Sequence, residues 1–332
     1  MMERIITAAR GGGKRIVLAE GEDPRVIEGV ARAAADDLAK IVLVGNDETI
    51  RKAATELGHE ISGIEIADPA TSIHAGEFVA AYQALRGNRI SDVSTAREAM
   101  LNPLNFAAMM VRQGKADGTI GGAVATTAET VRAALLIIGK AVDADIVSSF
   151  FLMNLTGDHL PRQGPVVFAD CGLVADPGPA ELAEIAIASA ANYRALTGAS
   201  PRVAMLSFST MGSARHASAT KMIEATEIAR AKKPDLLIDG ELQFDAAFMP
   251  DVANTKAPGS PLEGAANVFV FPDLNSGNIA YKIAQRIGGA QAIGPVLQGL
   301  TRPANDLSRG CSAEDVYHMI ALTALQAGQT RA

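Results

Sequence analysis

The run Asn305-Asp306-Leu307-Ser308-Arg309-Gly310-Cys311-Ser312-Ala313-Glu314-Asp315 gathers a hydroxyl, a guanidinium, a thiol and carboxylates around one glycine. Ser308 beside Arg309 offers an O–H donor and a planar fork matched to phosphate oxygens. Ser312 and Asp315 have capping-box spacing ahead of the apolar run Val316 to Leu325, so Asp315 can close a helix start as well as accept a proton. In that register Cys311 and Val316 stand where a hydrophobic staple forms, which explains the cysteine without reactivity. A thiol near a helix N-terminus can also be acidified into a nucleophile, and Cys311 is read as structural against that alternative. Capping leaves Ser308 and Arg309 unexplained.

Groups of this kind need a rigid support. Upstream, Gly294-Pro295-Val296-Leu297-Gln298-Gly299 reads as a buried strand leading into the turn, a strand-to-helix connection of the sort where open α/β sheets bind ligands. Short β-branched runs recur at Arg15 to Ala19, Ile41 to Val44, Thr119 to Gly122, Val166 to Ala169, Val203 to Phe208, Leu236 to Ile238 and Val268 to Phe271. They alternate with helical stretches such as Ala180 to Leu196, where Leu182, Ile185, Ala186 and Ser189 share a face, and Ala214 to Ala231. The pattern predicts an α/β fold with parallel strands. Glycine- and proline-rich loops at Asp158 to Gly164 and Lys256 to Gly264 punctuate it, the first as a candidate domain neighbourhood.

With 332 residues, 48% of them hydrophobic and 20% charged, the chain can bury a large core, and its length favours two domains. A net charge of -7 with no basic stripe argues against nucleic acid, and the absence of Trp with 4% aromatics removes stacking platforms for single strands. No apolar run is long enough to span a bilayer and no signal-peptide h-region opens the chain, so a cytoplasmic protein away from membranes is expected. Two cysteines, Cys171 and Cys311, are too few and too scattered for a disulfide framework or a zinc site, and no metal is expected.

Phosphate-binding signatures are weak. Gly11-Gly12-Gly13-Lys14-Arg15 resembles part of a P-loop, but Ala8 replaces the first glycine and Arg15 the Ser or Thr, and the run precedes a strand, so it reads as a lead-in. No G-x-G-x-x-G follows any strand, which disfavours a nicotinamide enzyme. Thr126-Thr127-Ala128-Glu129 has capping-box spacing, and Val131, Ala134, Leu135 and Ile138 form one apolar stripe with Arg132 off it. Arg86 precedes Gly87 at an expected helix end, where the cation meets the macrodipole. Locally, Arg86 and Arg132 both read as ordinary helix arginines.

The chain nevertheless resembles the phosphate acetyltransferases, nearly end to end. The resemblance rests on Lys14-Arg15-Ile16-Val17-Leu18-Ala19-Glu20-Gly21, Phe168-Ala169-Asp170-Cys171, Met205-Leu206-Ser207-Phe208-Ser209-Thr210-Met211-Gly212-Ser213, Asp239-Gly240-Glu241-Leu242-Gln243-Phe244-Asp245-Ala246-Ala247, Gly277-Asn278-Ile279-Ala280-Tyr281-Lys282 and the Asn305 to Asp315 run. It implies a two-domain, isocitrate dehydrogenase-like α/β fold with parallel and mixed sheets and an interdomain active-site cleft. Residues 1-145 plus 300-332 would form the CoA-binding domain with the catalytic turn. Residues 146-299 would supply a cleft wall and the contacts of a homodimer.

The reaction so implied is reversible transfer of acetyl between CoA and phosphate by direct attack in a ternary complex, with CoA or acetyl-CoA as substrate and no tightly bound cofactor. Asp315 matches the family's base for the CoA thiol, Ser308 the hydroxyl on the tetrahedral oxyanion, and Arg309 the cation on acetyl phosphate or phosphate. Arg86 and Arg132 match arginines associated with CoA, displacing their local reading, and Asn278 and Lys282 are weaker candidates for substrate contact. Arg86-Gly87-Asn88-Arg89 departs from the family by being less lysine-rich. The other readings are a phosphate butyryltransferase, an acetyl-CoA-sensing domain like the tail of some malic enzymes, and an isocitrate-type dehydrogenase. The free-standing chain with Ser308, Arg309 and Asp315 intact favours an enzyme, and the missing metal-carboxylate cluster disfavours the dehydrogenase.

Overall fold

A computed structural model describes residues 2–87 and 92–329, in two compact units. Asn88 and Arg89 lie outside the described residues. Met2–Ala141 with Leu300–Ala332 forms one unit, Val142–Gly299 the other.

The first unit is built on five parallel strands: β1 (Arg15–Leu18), β2 (Lys40–Val44), β3 (Glu65–Ala67), β4 (Gly118–Gly121) and β11 (Ala304–Asp306), in the order β11-β4-β1-β2-β3. Ile16, Val17 and Leu18 are all buried, as expected of a parallel sheet covered on both faces. Its helices are α1 (Met2–Ala9), α2 (Pro24–Ala35), α3 (Asp47–Glu56), α4 (Ala75–Arg86), α5 (Val93–Leu101), α6 (Pro103–Arg112), α7 (Thr127–Ala133) and α13 (Ala313–Gln329). Helices α2 and α13 touch where Gly29 would place a Cβ only 2.7 Å from Ala313 O and from Val316 Cβ, so the close approach requires glycine. Strand order reverses between β1 and β4, and the crevice at their carboxyl ends is where such sheets take ligands.

The second unit orders its six strands β10-β5-β6-β9-β7-β8. Here β6 (Gly164–Ala169), β7 (Val203–Leu206), β8 (Ile238–Leu242) and β9 (Val268–Val270) pair in parallel. At one edge β5 (Ser148–Leu155) and β10 (Gln291–Gln298) are antiparallel, making the sheet mixed. Its helices are α8 (Pro179–Thr197), α9 (Ala217–Lys232), α10 (Phe244–Phe248), α11 (Pro250–Lys256) and α12 (Leu274–Arg286), around a core that includes Phe151, Phe168, Phe248 and Phe269.

Several expectations change in detail. The strand ahead of the reactive turn is β11, while the predicted Gly294 to Gly299 strand is the end of β10 in the other sheet, with Gly299 just past it. The Asp158 to Gly164 loop joins β5 to β6 inside the second unit, so it marks no domain boundary. The Leu236 to Ile238 strand starts two residues later and runs on through Asp239 and Glu241, because both carboxylates find partners: Ser260 donates to Asp239 at 2.5 Å, and Ser209 and Gly212 N donate to Glu241 at 2.7 and 2.8 Å. Helix α9 begins at Ala217 with His216 as its cap, three residues after the predicted start. The α7 stripe fails at Leu135, which is 43% exposed, because Ala134–Ile138 is a π-helical turn whose extra residue per turn buries Ile137 instead.

Candidate functional site

Strand β11 delivers the turn. Leu307 N donates to Gly121 O at 2.7 Å, extending the β11-β4 ladder, and Cys311 N donates to Ser308 O at 2.8 Å, closing the turn beyond it. Ser308, Arg309 and Gly310 are left exposed. The predicted capping box forms: Asp315 N donates to Ser312 Oγ at 3.2 Å, and Asp315 Oδ2 accepts Ser312 N at 2.8 Å and Ser312 Oγ at 2.9 Å. Asp315 Oδ1 has no hydrogen-bond partner among the described residues, so one oxygen of this half-buried carboxylate closes the helix and the other is available for chemistry.

Cys311 is buried, and desolvation, with Asp315 and Asp23 nearby, pushes its thiol up to about 11 against the opposing charge of Arg25. A thiol so protonated at neutral pH is a poor nucleophile. Accordingly, Cys311→Ala is expected to keep turnover within roughly tenfold of wild type, and loss of turnover in the folded variant would reopen a covalent route.

Two charged side chains missed from sequence hold the turn. Arg25 Nη1 donates to Arg309 O at 2.7 Å and Cys311 O at 3.2 Å, and its Nη2 to Ala123 O at 2.7 Å. Asp23 caps α2 and grips the same guanidinium, which holds the Asp23 carboxyl below the usual carboxylate range. Glu20, two residues past β1, accepts Ala123 N at 2.6 Å, Val124 N at 3.1 Å and Ala125 N at 2.7 Å, so it organises the loop after β4. Local sequence carries no signal for what Arg25 and Glu20 do, since their carbonyl and amide partners lie about a hundred or more residues away.

That loop opens α7 through the expected Thr126–Glu129 capping box. Hydrogen bonds from Thr126 hold the Glu129 carboxyl below its ordinary range, and both Arg132 and Arg309 add to the effect. The structure thus brings Arg309 of the turn and Arg132 of α7 to bear on one carboxylate. Arg132 is exposed and lines a hollow of about 430 Å³ with Ala128, Val131, Leu135 and Leu136, an apolar floor with a cation beside it. A second cavity, about 460 Å³, lies at the carboxyl ends of β1 and β2 and beside the loop after β4, and is lined in part by Glu20, Glu22, Asp23 and Glu129. Its carboxylates repel phosphates, so anionic groups belong nearer the arginines.

Arg86 ends α4 as predicted, with Gly87 at φ +52°, and its half-buried side chain has an Nε with no hydrogen-bond partner among the described residues. An orphaned guanidinium N–H is a ready donor to an anion. Asn278 and Lys282 belong to the second unit and engage each other at 2.7 Å, Asn278 also donating to Cys171 O at 3.0 Å.

A family model described as phosphate acetyl/butaryl transferase matches residues 1–324. This chain belongs to that family. It is 50% identical to the phosphate acetyltransferase of Paracoccus denitrificans, with 98% of each chain covered, and 45% identical to that of Acetivibrio thermocellus, covering 100% of this chain and 99% of the other. Among solved structures, a phosphotransacetylase from Streptococcus pyogenes superposes with a TM-score of 0.91 at 42% identity, with 98% of each chain covered. Within the first unit, the family member's turn, its two clamping residues and the α7 helix are all parts of one scaffold.

Proposed function

We propose that the chain is a phosphate acetyltransferase, catalysing acetyl-CoA + phosphate = CoA + acetyl phosphate with no tightly bound cofactor. The full-length match to relatives of that name carries the reading. In the direction of acetyl-CoA formation, the CoA sulfur attacks the carbonyl carbon of acetyl phosphate while its proton passes to Asp315. Ser308 donates to the oxyanion, the carbon–oxygen bond to phosphate breaks, and Arg309 receives the departing phosphate. Full proton transfer from an ordinary thiol to an ordinary aspartate would cost about 6 kcal/mol. Orientation of bound reactants can contribute roughly 7 to 11 kcal/mol, and transfer concerted with attack avoids a free thiolate. Adding phosphate to the protein with acetyl-CoA and following thiol release tests the activity. Preferential use of butyryl-CoA would point to the butyryl member of the family.

Arg86 and Arg132 are assigned to CoA, supported by the unpartnered Nε of the first and the apolar hollow beside the second. Arg86→Ala and Arg132→Ala are expected to raise the CoA KM with smaller change in kcat, whereas Ser308→Ala lowers kcat by roughly 10²-fold. An unchanged CoA KM in both arginine variants would remove the assignment. Asn278 and Lys282 remain weaker candidates for substrate contact. Apart from Asn278 and Lys282, the residues proposed for CoA and for the transfer fall in Met2–Ala141 with Leu300–Ala332, which is assigned the CoA-binding role.

A homodimer in the cytoplasm is the assembly inferred. Among the described residues no helix is long and apolar enough to cross a membrane. Ile279, Ile283 and Ile287, at helical spacing along and just past α12, are all largely exposed, which suits a subunit contact in the second unit. Sedimentation of Ile283→Lys as a monomer supports that contact, and an unaltered dimer excludes this helix from it.

A further inference from the structure

Asp306 takes no part in the transfer described above, yet it ends the strand from which Ser308 hangs. It is fully buried, at 0% exposure. Thr127 Oγ1 donates to its Oδ2 at 2.6 Å, and its Oδ1 has no hydrogen-bond partner among the described residues. Gly122, at φ +95°, would place a Cβ 2.0 Å from Oδ1, so the backbone after β4 lies directly against the carboxyl and tolerates no side chain there. Thr127 is the first residue of α7, whose last turn carries Arg132. One carboxyl therefore stands where the reactive turn meets the arginine-bearing helix.

We propose that Asp306 is a positioning residue for acetyl transfer, setting through Thr127 the spacing between the Ser308–Arg309 turn and the helix of Arg132 without touching substrate. The inference rests on the roles given to Ser308, Arg309 and Arg132 under the proposed function. Full burial and an oxygen without a donor both disfavour the ionised form of this carboxyl. Burial, with Glu20 as the facing like charge, pushes this carboxyl up to about 7, against the hydroxyls of Thr127 and Thr130 and the backbone of Leu307.

The test is a mutant cycle of Asp306→Ala, Thr127→Val and the double variant, with Asp306→Asn alongside, reading kcat, CoA KM and thermal stability. Each single change is expected to lower kcat roughly ten- to hundred-fold and to raise the CoA KM, as displacements near 1 Å do. The double variant should be no worse than the poorer single one, because both remove one joint. Asp306→Asn should recover part of kcat, since its carbonyl oxygen can still accept from Thr127. Additive losses, or lowered melting temperatures with kcat and KM as in wild type, overturn the proposal. If Asp306→Ala does not fold, the cycle of Thr127→Val with Asp306→Asn decides the same question. Failure of the underlying reading looks different: Asp315→Asn would stay active, whatever the cycle shows.

Discussion

Asp315→Asn is expected to lower kcat by about 10²-fold or more, the usual contribution of a positioned general base. The substitution separates the two duties of this residue. A carboxamide oxygen can still accept from Ser312 N, so the start of α13 loses at most about 1 kcal/mol of capping, and the fold survives. What disappears is the Oδ1 lone pair, without a partner among the described residues, that is proposed to receive the thiol proton. Circular dichroism unchanged from wild type, with turnover down a hundredfold, is the expected combination. Activity within tenfold of wild type would remove Asp315 as the base and leave it a helix cap.

The second large effect concerns pH and stability. Asp306 is buried and its carboxyl is raised from 3.8 to about 7, so between those values the folded chain holds a proton that the unfolded chain has released. Its contribution to stability is fully present below the unfolded value and is lost as pH rises through the folded one, a span of about 4 kcal/mol. Between pH 5 and 8 the wild-type chain should lose about 2–3 kcal/mol relative to Asp306→Asn, which stays neutral throughout. His318, lowered from 6.5 mainly by burial, gains stability as pH rises through this range and so works in the opposite direction, which makes the difference between the two proteins the quantity to measure. Urea midpoints that keep a constant gap between the two proteins across that range would show that Asp306 stays ionised when folded.

The helical and strand periods were readable where burial follows local pattern. Leu182, Ile185, Ala186 and Ser189 are all fully buried on α8, and β1, β6, β7 and β9 overlap the runs predicted for them. Legibility failed where a distant partner changes the cost of a residue. Asp239 and Glu241 look like turn residues until Ser260, Ser209 and Gly212 are brought to them. Leu135 belongs to an apolar stripe only if the helix keeps its α period, and the π turn rotates it outward.

For the candidate site, the sequence alone determined the chemistry on offer: a Ser-Arg pair beside a glycine, a carboxylate with capping spacing, and a family resemblance that gave Arg86 and Arg132 a task their local surroundings did not suggest. Spacing along the chain is enough for this because the Ser312–Asp315 box and the Ser308–Cys311 turn are closed by bonds three residues apart. Tertiary structure decided which groups steady that chemistry. Arg25 reaches carbonyls 284 and 286 residues away, Glu20 gathers amides about a hundred residues on, and Asp306 meets Thr127 across 179 residues. Their function depends on charge and burial created only when β1, β4 and β11 lie side by side, and no local pattern encodes that adjacency.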